Sequence, residues 1–320
     1  MSSSPEPLDA ERLLGGAARP LVIGIGGGGD VVGALATAEA CRIYGGARPV
    51  LGGVTWERRP IDPAPGPRRV DEVDGAREIA PGVLAAGPET QVRGSGVRFA
   101  ESRMAGVLGE EVLLIDPNRG ARGVASGLAE AAHALGTDLL VFVDVGGDAL
   151  AHGGEPGLAS PLCDAVMLAA AALLAADGQP VLGAIFGPGC DGELTLAELE
   201  TRLSEVAAAG GLAGARGLTP AVAARLREAA AVVPTEASAQ SLRAFDGELG
   251  TTAIRRGRRT LRLSPVAALT VYFDVAVALR SAARLAAAVT DTTSIEAAND
   301  VLHGLGVRTE LDLERAAAEE

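Results

Sequence analysis

Two motifs in this chain combine carboxylates with runs of glycine, and each follows an apolar segment. The first is GIGGGGD, residues 24–30, where Gly26, Gly27, Gly28 and Gly29 lead into Asp30. The second is DVGGD, residues 144–148, where Asp144 and Asp148 flank Gly146 and Gly147. Glycine lets a ligand approach the backbone closely, and a loop that opens a helix points N–H groups and the positive end of a dipole at one spot. Two carboxylates folded onto one rim suit Mg²⁺ ligation or a proton-sharing acid/base pair. Asp144 and Asp148 are therefore the candidate metal ligands. Asp30, Asp144, Asp148 and His152, four residues beyond Asp148, are the candidate catalytic groups.

Gly24–Gly29 satisfies the dinucleotide pattern G-x-G-x-x-G, but Asp30 argues against a bare pyrophosphate there. A carboxylate about 4 Å from a phosphate charge costs about 4 kcal/mol at an effective dielectric of 20. Asp30 has two readings: a helix cap, or a group that meets an amine, a hydroxyl or a metal-bridged phosphate on the ligand. Asp144 and Asp148 have their own bland reading, a turn in which they bond loop amides.

Other ligand-binding candidates come from segments that also end strands. They are Trp56, Glu57 and Arg58 after a second apolar run, and Asp116, Asn118 and Arg119 in DPNRG after EVLLI. An arginine in such a loop suits a carboxylate or phosphate. Trp56 either stacks a ring or anchors its loop. Cys190, in GPGCDGE, is a weaker nucleophile candidate because no histidine pairs with it in the sequence. Three dispersed histidines give no zinc spacing.

The elements that position these residues alternate. Strands are predicted at 21–25, 49–54, 111–115, 139–143 and 180–185, and helices at 31–44, 123–135 and 162–176, the last capped by Ser160. Short edge strands are expected at 82–86 and 97–99. Residues 56–72 carry Pro60, Pro63, Pro65 and Pro67, which forbid regular structure and predict a long ordered loop. The alternation predicts an α/β fold: a doubly wound, mainly parallel, Rossmann-like sheet with a helical C-terminal elaboration. In such sheets ligands bind beyond the strands' carboxyl ends, where strand order reverses.

Residues 1–18 read as a polar lead-in and 19–194 as the ligand-binding core. Residues 195–250 read as a helical insertion or lid, with Thr195 and Glu198 as a capping box. Residues 251–320 read as completing the same domain. They contain a polar hairpin at 251–263, a strand at 269–273, a closing helix at 294–305 and a frayed tail.

Composition narrows the partners. Net charge is −13, which repels nucleic-acid phosphates and anionic membranes and leaves a small molecule as the expected substrate. Aromatics are only 2% of residues, so small aliphatics must fill the core. The first residues lack a basic start and an apolar run, so no secretory signal is expected. Residues 165–176 are apolar but too short to span a bilayer. Cys41, Cys163 and Cys190 read as reduced thiols, and with them the expectation is a cytoplasmic protein. A homo-oligomer is compatible with this composition.

Three linked stretches, GIGGGGDVVGALATA, LGGVTWERRPIDPAPGPR and DVGGDALAHGGEPGLASPLCDAVMLAA, resemble a bacterial and archaeal family known as domain of unknown function DUF1152. The resemblance extends from about residue 20 to residue 306 and implies no particular activity. The glycine loop followed by an acid is also similar to the loops of D-glutamate cyclase, a lyase acting on an amino acid. From the residues, the expected function is an enzyme that hydrolyses or transfers a group on a phosphorylated or nucleotide-like substrate, with Mg²⁺ as its cofactor. The alternatives are a lyase or cyclase acting on a hydroxy or amino acid, and a nucleotide-binding or sensing protein without turnover.

Overall fold

The computed structural model describes residues 7–319. In chain order the elements are α1 (Ala10–Gly16), β1 (Pro20–Gly24), α2 (Asp30–Gly45), β2 (Val50–Val54), β3 (Val73–Ala80), β4 (Val83–Val92), α3 (Ala100–Leu108), β5 (Val112–Ile115), α4 (Gly120–Leu135), β6 (Leu139–Val145), α5 (Pro161–Ala176), β7 (Val181–Phe186), α6 (Leu196–Ala208), β8 (Leu212–Gly217), α7 (Pro220–Ala230), α8 (Ala237–Phe245), β9 (Gly250–Ile254), β10 (Arg259–Leu263), β11 (Leu269–Phe273), α9 (Val275–Ser281), α10 (Arg284–Val289), α11 (Ile295–Gly304) and α12 (Glu310–Glu319).

Every residue of β1, β6 and β7 is buried, as unbroken apolar strands require when helices cover both faces. The sheet has nine strands in the order β3-β4-β5-β2-β1-β6-β7-β11-β8. Its five central strands are parallel. Antiparallel strands close both edges, β4 and β3 on one side and β11 and β8 on the other. Strands β9 and β10 form a separate hairpin. This is an α/β fold with a Rossmann-like centre.

One core lies between the sheet and the layer holding α4, α5, α9, α10 and α11. A second core on the opposite face is built with α1, α2, α3 and α7. Helix α2 follows β1 and α5 follows β6, so neighbouring strands send their helices to opposite faces. The order reverses between β1 and β6, and a crevice opens at their carboxyl ends.

Several local expectations are corrected. The short strands expected at 82–86 and 97–99 are one longer hairpin, β3–β4, followed by a single bridge between Gln91 and Arg98. Within 195–250, β8 joins the sheet edge, hidden from the sequence by its small residues, LAGARG. The capping box at Thr195 forms with both partners in place. The polar lead-in forms α1 from Ala10, and its residues 1–6 lie outside the described residues. The closing helix is followed by α12, and residues 310–319 are ordered because Glu310 and Glu314 are buried against the rest of the fold. Among the described residues, no helix is long and apolar enough to cross a membrane.

Candidate functional site

Asp30 and Asp144 lie on adjoining segments of the crevice, at the start of α2 and near the end of β6. A third carboxylate meets them, Asp164 in the first turn of α5. Oxygens of the three lie within 4.8 Å of one another. They line a cavity of about 400 Å³ whose walls carry eight carboxylates and five guanidinium groups. Asp148, Asp191 and Glu193 line it too, as do Arg58, Arg59, Arg255, Arg258 and Arg259.

The glycines of both motifs make room for these acids. The Gly26 N–H donates to Asp30 Oδ2 at 3.0 Å, so Asp30 turns back on its own loop and makes no side-chain cap for α2. A Cβ on Gly26 would stand 2.6 Å from Asp30 Oδ2 and 3.2 Å from both Asp164 oxygens. Gly146 has φ +125°, and a Cβ there would overlap the Asp191 carboxylate. A Cβ on Gly147 would overlap the Leu199 side chain. The expected cradle of free amides is smaller than four glycines suggest. The Gly28 N–H is taken by the Trp56 carbonyl at 3.0 Å, and the Gly26 carbonyl accepts from Arg58 at 2.6 Å.

Burial dominates the electrostatics. It pushes the Asp30 carboxyl up to about 8, with Asp144 adding to the rise. It pushes Asp144 up to about 7 against the pull of the Ala149 N–H, with Glu193 adding to the rise. Asp148, Asp164 and Asp191 are driven well above the ordinary carboxylate range by burial and then by neighbouring carboxylates, Glu193 beside Asp148 and Asp191 and Asp144 beside Asp164. Glu193 differs. Burial opposes its ionisation, but Arg259, the Ser160 hydroxyl and the amides of Ala159 and Ser160 outweigh it and hold the carboxyl below its usual value. The Ser160 hydroxyl is thus directed to Glu193 and does not cap α5.

Glu310 replaces it. Its carboxylate accepts from the Leu162 and Cys163 N–H groups, both at 2.9 Å, and from Arg58 at 3.2 Å. Helix α12 therefore caps the helix that carries Asp164 and anchors an arginine of the cavity wall. We predict that Glu310→Gln lowers the unfolding free energy by about 3 kcal/mol, because the buried Arg58 guanidinium loses the nearer of its two carboxylates and keeps only Glu314 at 3.9 Å. Urea unfolding measures the loss, and a change below about 1 kcal/mol would contradict it.

The other sequence candidates separate. Trp56 is an anchor: it is buried, its Nε1–H donates to Glu314 at 3.0 Å, and the Arg58 guanidinium lies over its ring at 4.2 Å. Glu57 accepts the Ala100 N–H, and its other oxygen has no donor. With Gly27, Gly28, Gly29 and Arg58 it borders a neighbouring cavity of about 270 Å³.

Asp116, Asn118 and Arg119 are not brought to the acidic cavity. Asp116 accepts from the Asn118 backbone and side chain at 2.9 and 2.8 Å, and the group lines a different cavity of about 740 Å³. Strand β5 stands three places from β6, which at ~4.8 Å per strand is about 14 Å. His152 also stands away from the cavity, held by Glu205 at 2.9 Å and by Arg202. Burial and the nearby Arg202 lower its pKa. Cys190 is buried and does not line the cavity.

Six functional candidates were missed: Asp164, Asp191, Glu193, Arg255, Arg258 and Glu310. Asp164 had a signal, a lone acid in an otherwise apolar helix. The run RRGRR at 255–259 had another, four arginines around one turn.

Fold and site together define an α/β protein with an acidic, arginine-rimmed cavity at the sheet's switch point. The chain belongs to the family described as "Protein of unknown function (DUF1152)", whose model matches residues 21–318. Neither the curated proteins nor the solved structures include a match to it.

Proposed function

We propose that this protein binds Mg²⁺ at Asp30, Asp144 and Asp164 and hydrolyses or transfers a phosphoryl group of a phosphorylated or nucleotide-like small molecule. The observation that carries this reading is the convergence of three carboxylates from three chain segments within 4.8 Å, in a cavity also lined by arginines. An all-oxygen ligand set suits Mg²⁺ rather than zinc. Octahedral Mg²⁺ at about 2.1 Å from its ligands spaces adjacent ones by about 3.0 Å and opposite ones by about 4.2 Å, so three oxygens within 4.8 Å of one another must draw together as they take the ion. A cation there offsets the like-charge repulsion and neutralises charge on a phosphoryl group. Among the described residues the guanidinium groups of Arg255 and Arg258 make no ion pair with a carboxylate, and both residues line the cavity, which suits them to phosphate oxygens. In hydrolysis a water oxygen bonds to phosphorus while the bond to the leaving oxygen breaks. The leaving oxygen keeps the electron pair, and a cavity carboxylate takes the water's proton. In transfer an alcohol replaces the water.

A second reading, a lyase or cyclase acting on a hydroxy or amino acid, is favoured by one observation. Asp30 and Asp144 sit side by side with pKa values near neutrality, so one can hold a proton while the other is ionised. That chemistry needs no cation. The three cysteines are free and buried, which supports a reducing, cytoplasmic setting.

Thermal unfolding with EDTA and with Mg²⁺ tests the choice. At about 100 times its dissociation constant Mg²⁺ should add ~2.7 kcal/mol. A panel of phosphate esters should then release phosphate only with Mg²⁺ present. Replacing Arg255 and Arg258 by alanine should abolish binding of inorganic phosphate and leave the Mg²⁺ shift intact. No Mg²⁺ shift would remove the phosphoryl reading and favour the lyase.

A further inference from the structure

A second group of carboxylates lines the same cavity. Oxygens of Asp148, Asp191 and Glu193 also lie within 4.8 Å of one another. Asp148 follows β6, and Asp191 and Glu193 follow β7, so two neighbouring strand ends converge. Asp148 and Asp191 are each 5% exposed, and Asp148 Oδ2 and Asp191 Oδ1 have no hydrogen-bond donor. A buried carboxylate oxygen with no donor is costly unless the group takes up a proton or a positive charge lies beside it.

The surroundings hold these groups in position. Asp191 Oδ2 accepts the Glu193 N–H at 3.2 Å, and the absent side chain of Gly146 leaves the space that the Asp191 carboxylate fills. Glu193 accepts from the Ala159 and Ser160 N–H groups at 2.7 and 2.8 Å, from the Ser160 hydroxyl, and from Arg259 at 2.7 Å. Its lone pairs are therefore used. It supplies fixed negative charge behind the pair, and the ligand atoms are those of Asp148 and Asp191. Asp144 links the two groups, because it belongs to the first and is joined to Asp148 of the second by the short turn through Gly146 and Gly147.

We infer that Asp148 and Asp191 form a second divalent-cation site, joined to the first through Asp144. The inference rests on the proposed cation at Asp30, Asp144 and Asp164. A carboxylate between two ions is the usual feature of centres in which the ions stand ~3.5–4 Å apart and clamp the attacking and leaving oxygens of an in-line displacement. The substrate class narrows accordingly to a phosphate ester or anhydride whose reacting phosphoryl oxygen lies between the ions, with its remaining charge toward Arg255 and Arg258.

The test is Mn²⁺ stoichiometry on the full chain, by calorimetric titration and by anomalous scattering from Mn²⁺-soaked crystals. Wild type should take two equivalents per chain and show two anomalous peaks. D191N and D148N should each take one, and D164N should weaken the other at least tenfold. One equivalent in wild type that survives D191N unchanged overturns the second site and leaves the proposed function standing. No equivalent in wild type overturns the proposed Mg²⁺ site and this one with it. If a variant unfolds, the two wild-type peaks or their absence still decide.

Discussion

Asp144→Asn should raise the melting temperature of the metal-free protein and abolish its response to Mg²⁺. Both effects have one cause. Asp144 is 1% exposed, and burial with Glu193 nearby works against its charge. Asparagine keeps the oxygen that accepts the Ala149 N–H at 3.1 Å and removes the charge. Relief of about 1 kcal/mol corresponds to an increase of about 1.5 °C in a chain of 320 residues. The same change removes one of the three ligands of the first proposed cation site. Loss of a residue that merely supports a ligand costs 10–100-fold in metal affinity, so loss of the ligand itself should cost at least ~100-fold. Calorimetry with EDTA and with Mg²⁺ gives both numbers. A variant less stable than wild type in EDTA, yet still stabilised by Mg²⁺, would contradict the account of this residue. Stability and function trade against each other wherever a site concentrates like charge.

The second large effect is a loss of stability as pH rises from about 4 to about 8 in metal-free protein. Asp30 at about 8, Asp144 at about 7 and Glu57 at about 7 hold protons in the folded state. Their unfolded counterparts release them near pH 4. Across that interval the folded chain binds more protons than the unfolded one, so unfolding becomes easier with each step upward in pH. Below about pH 4 these groups impose no penalty, and above about pH 8 the penalty is complete. Glu57 alone, moved from 4.5 to about 7 chiefly by burial, corresponds to roughly 3 kcal/mol. Glu193 and Asp312 act oppositely: their lowered values stabilise the fold above about pH 4 and lose that contribution as pH falls. Mg²⁺ should flatten the upper slope, because a cation displaces the shared protons. Urea unfolding across the interval, with EDTA and with Mg²⁺, checks this. A stability that climbs from pH 5 to pH 8 in EDTA would refute it.

Much of the scaffold was legible locally. The apolar runs in β1, β6 and β7 announced buried strands, and the glycine loop before α2 announced a strand-to-helix turn. The proline-rich loop after β2 is irregular for the reason its prolines state, and it is held in place by contacts such as the Glu314 carboxylate on the Gly66 N–H at 2.8 Å. Strand β8 was not legible, because small residues at a sheet edge carry no period. Neither was the role of α12, whose sequence resembles a solvated tail.

The site divides along the same line. Sequence alone determined that Asp30, Asp144 and Asp148 would stand at strand ends beside glycine, since an acid after a buried apolar run must come out where the strand stops. It could not rank one strand end above another, so Asp116, Asn118, Arg119 and His152 looked as good as the rest. Strand order decided that: β1 and β6 are neighbours, β5 lies three places away, and the His152 loop leaves toward α6. Only the fold brought Asp164, Asp191 and Glu310 into the same crevice, because contacts between residues far apart in the chain depend on which strands pair and which faces their helices cover. A carboxylate's chemistry is local, whereas its partners are set by topology.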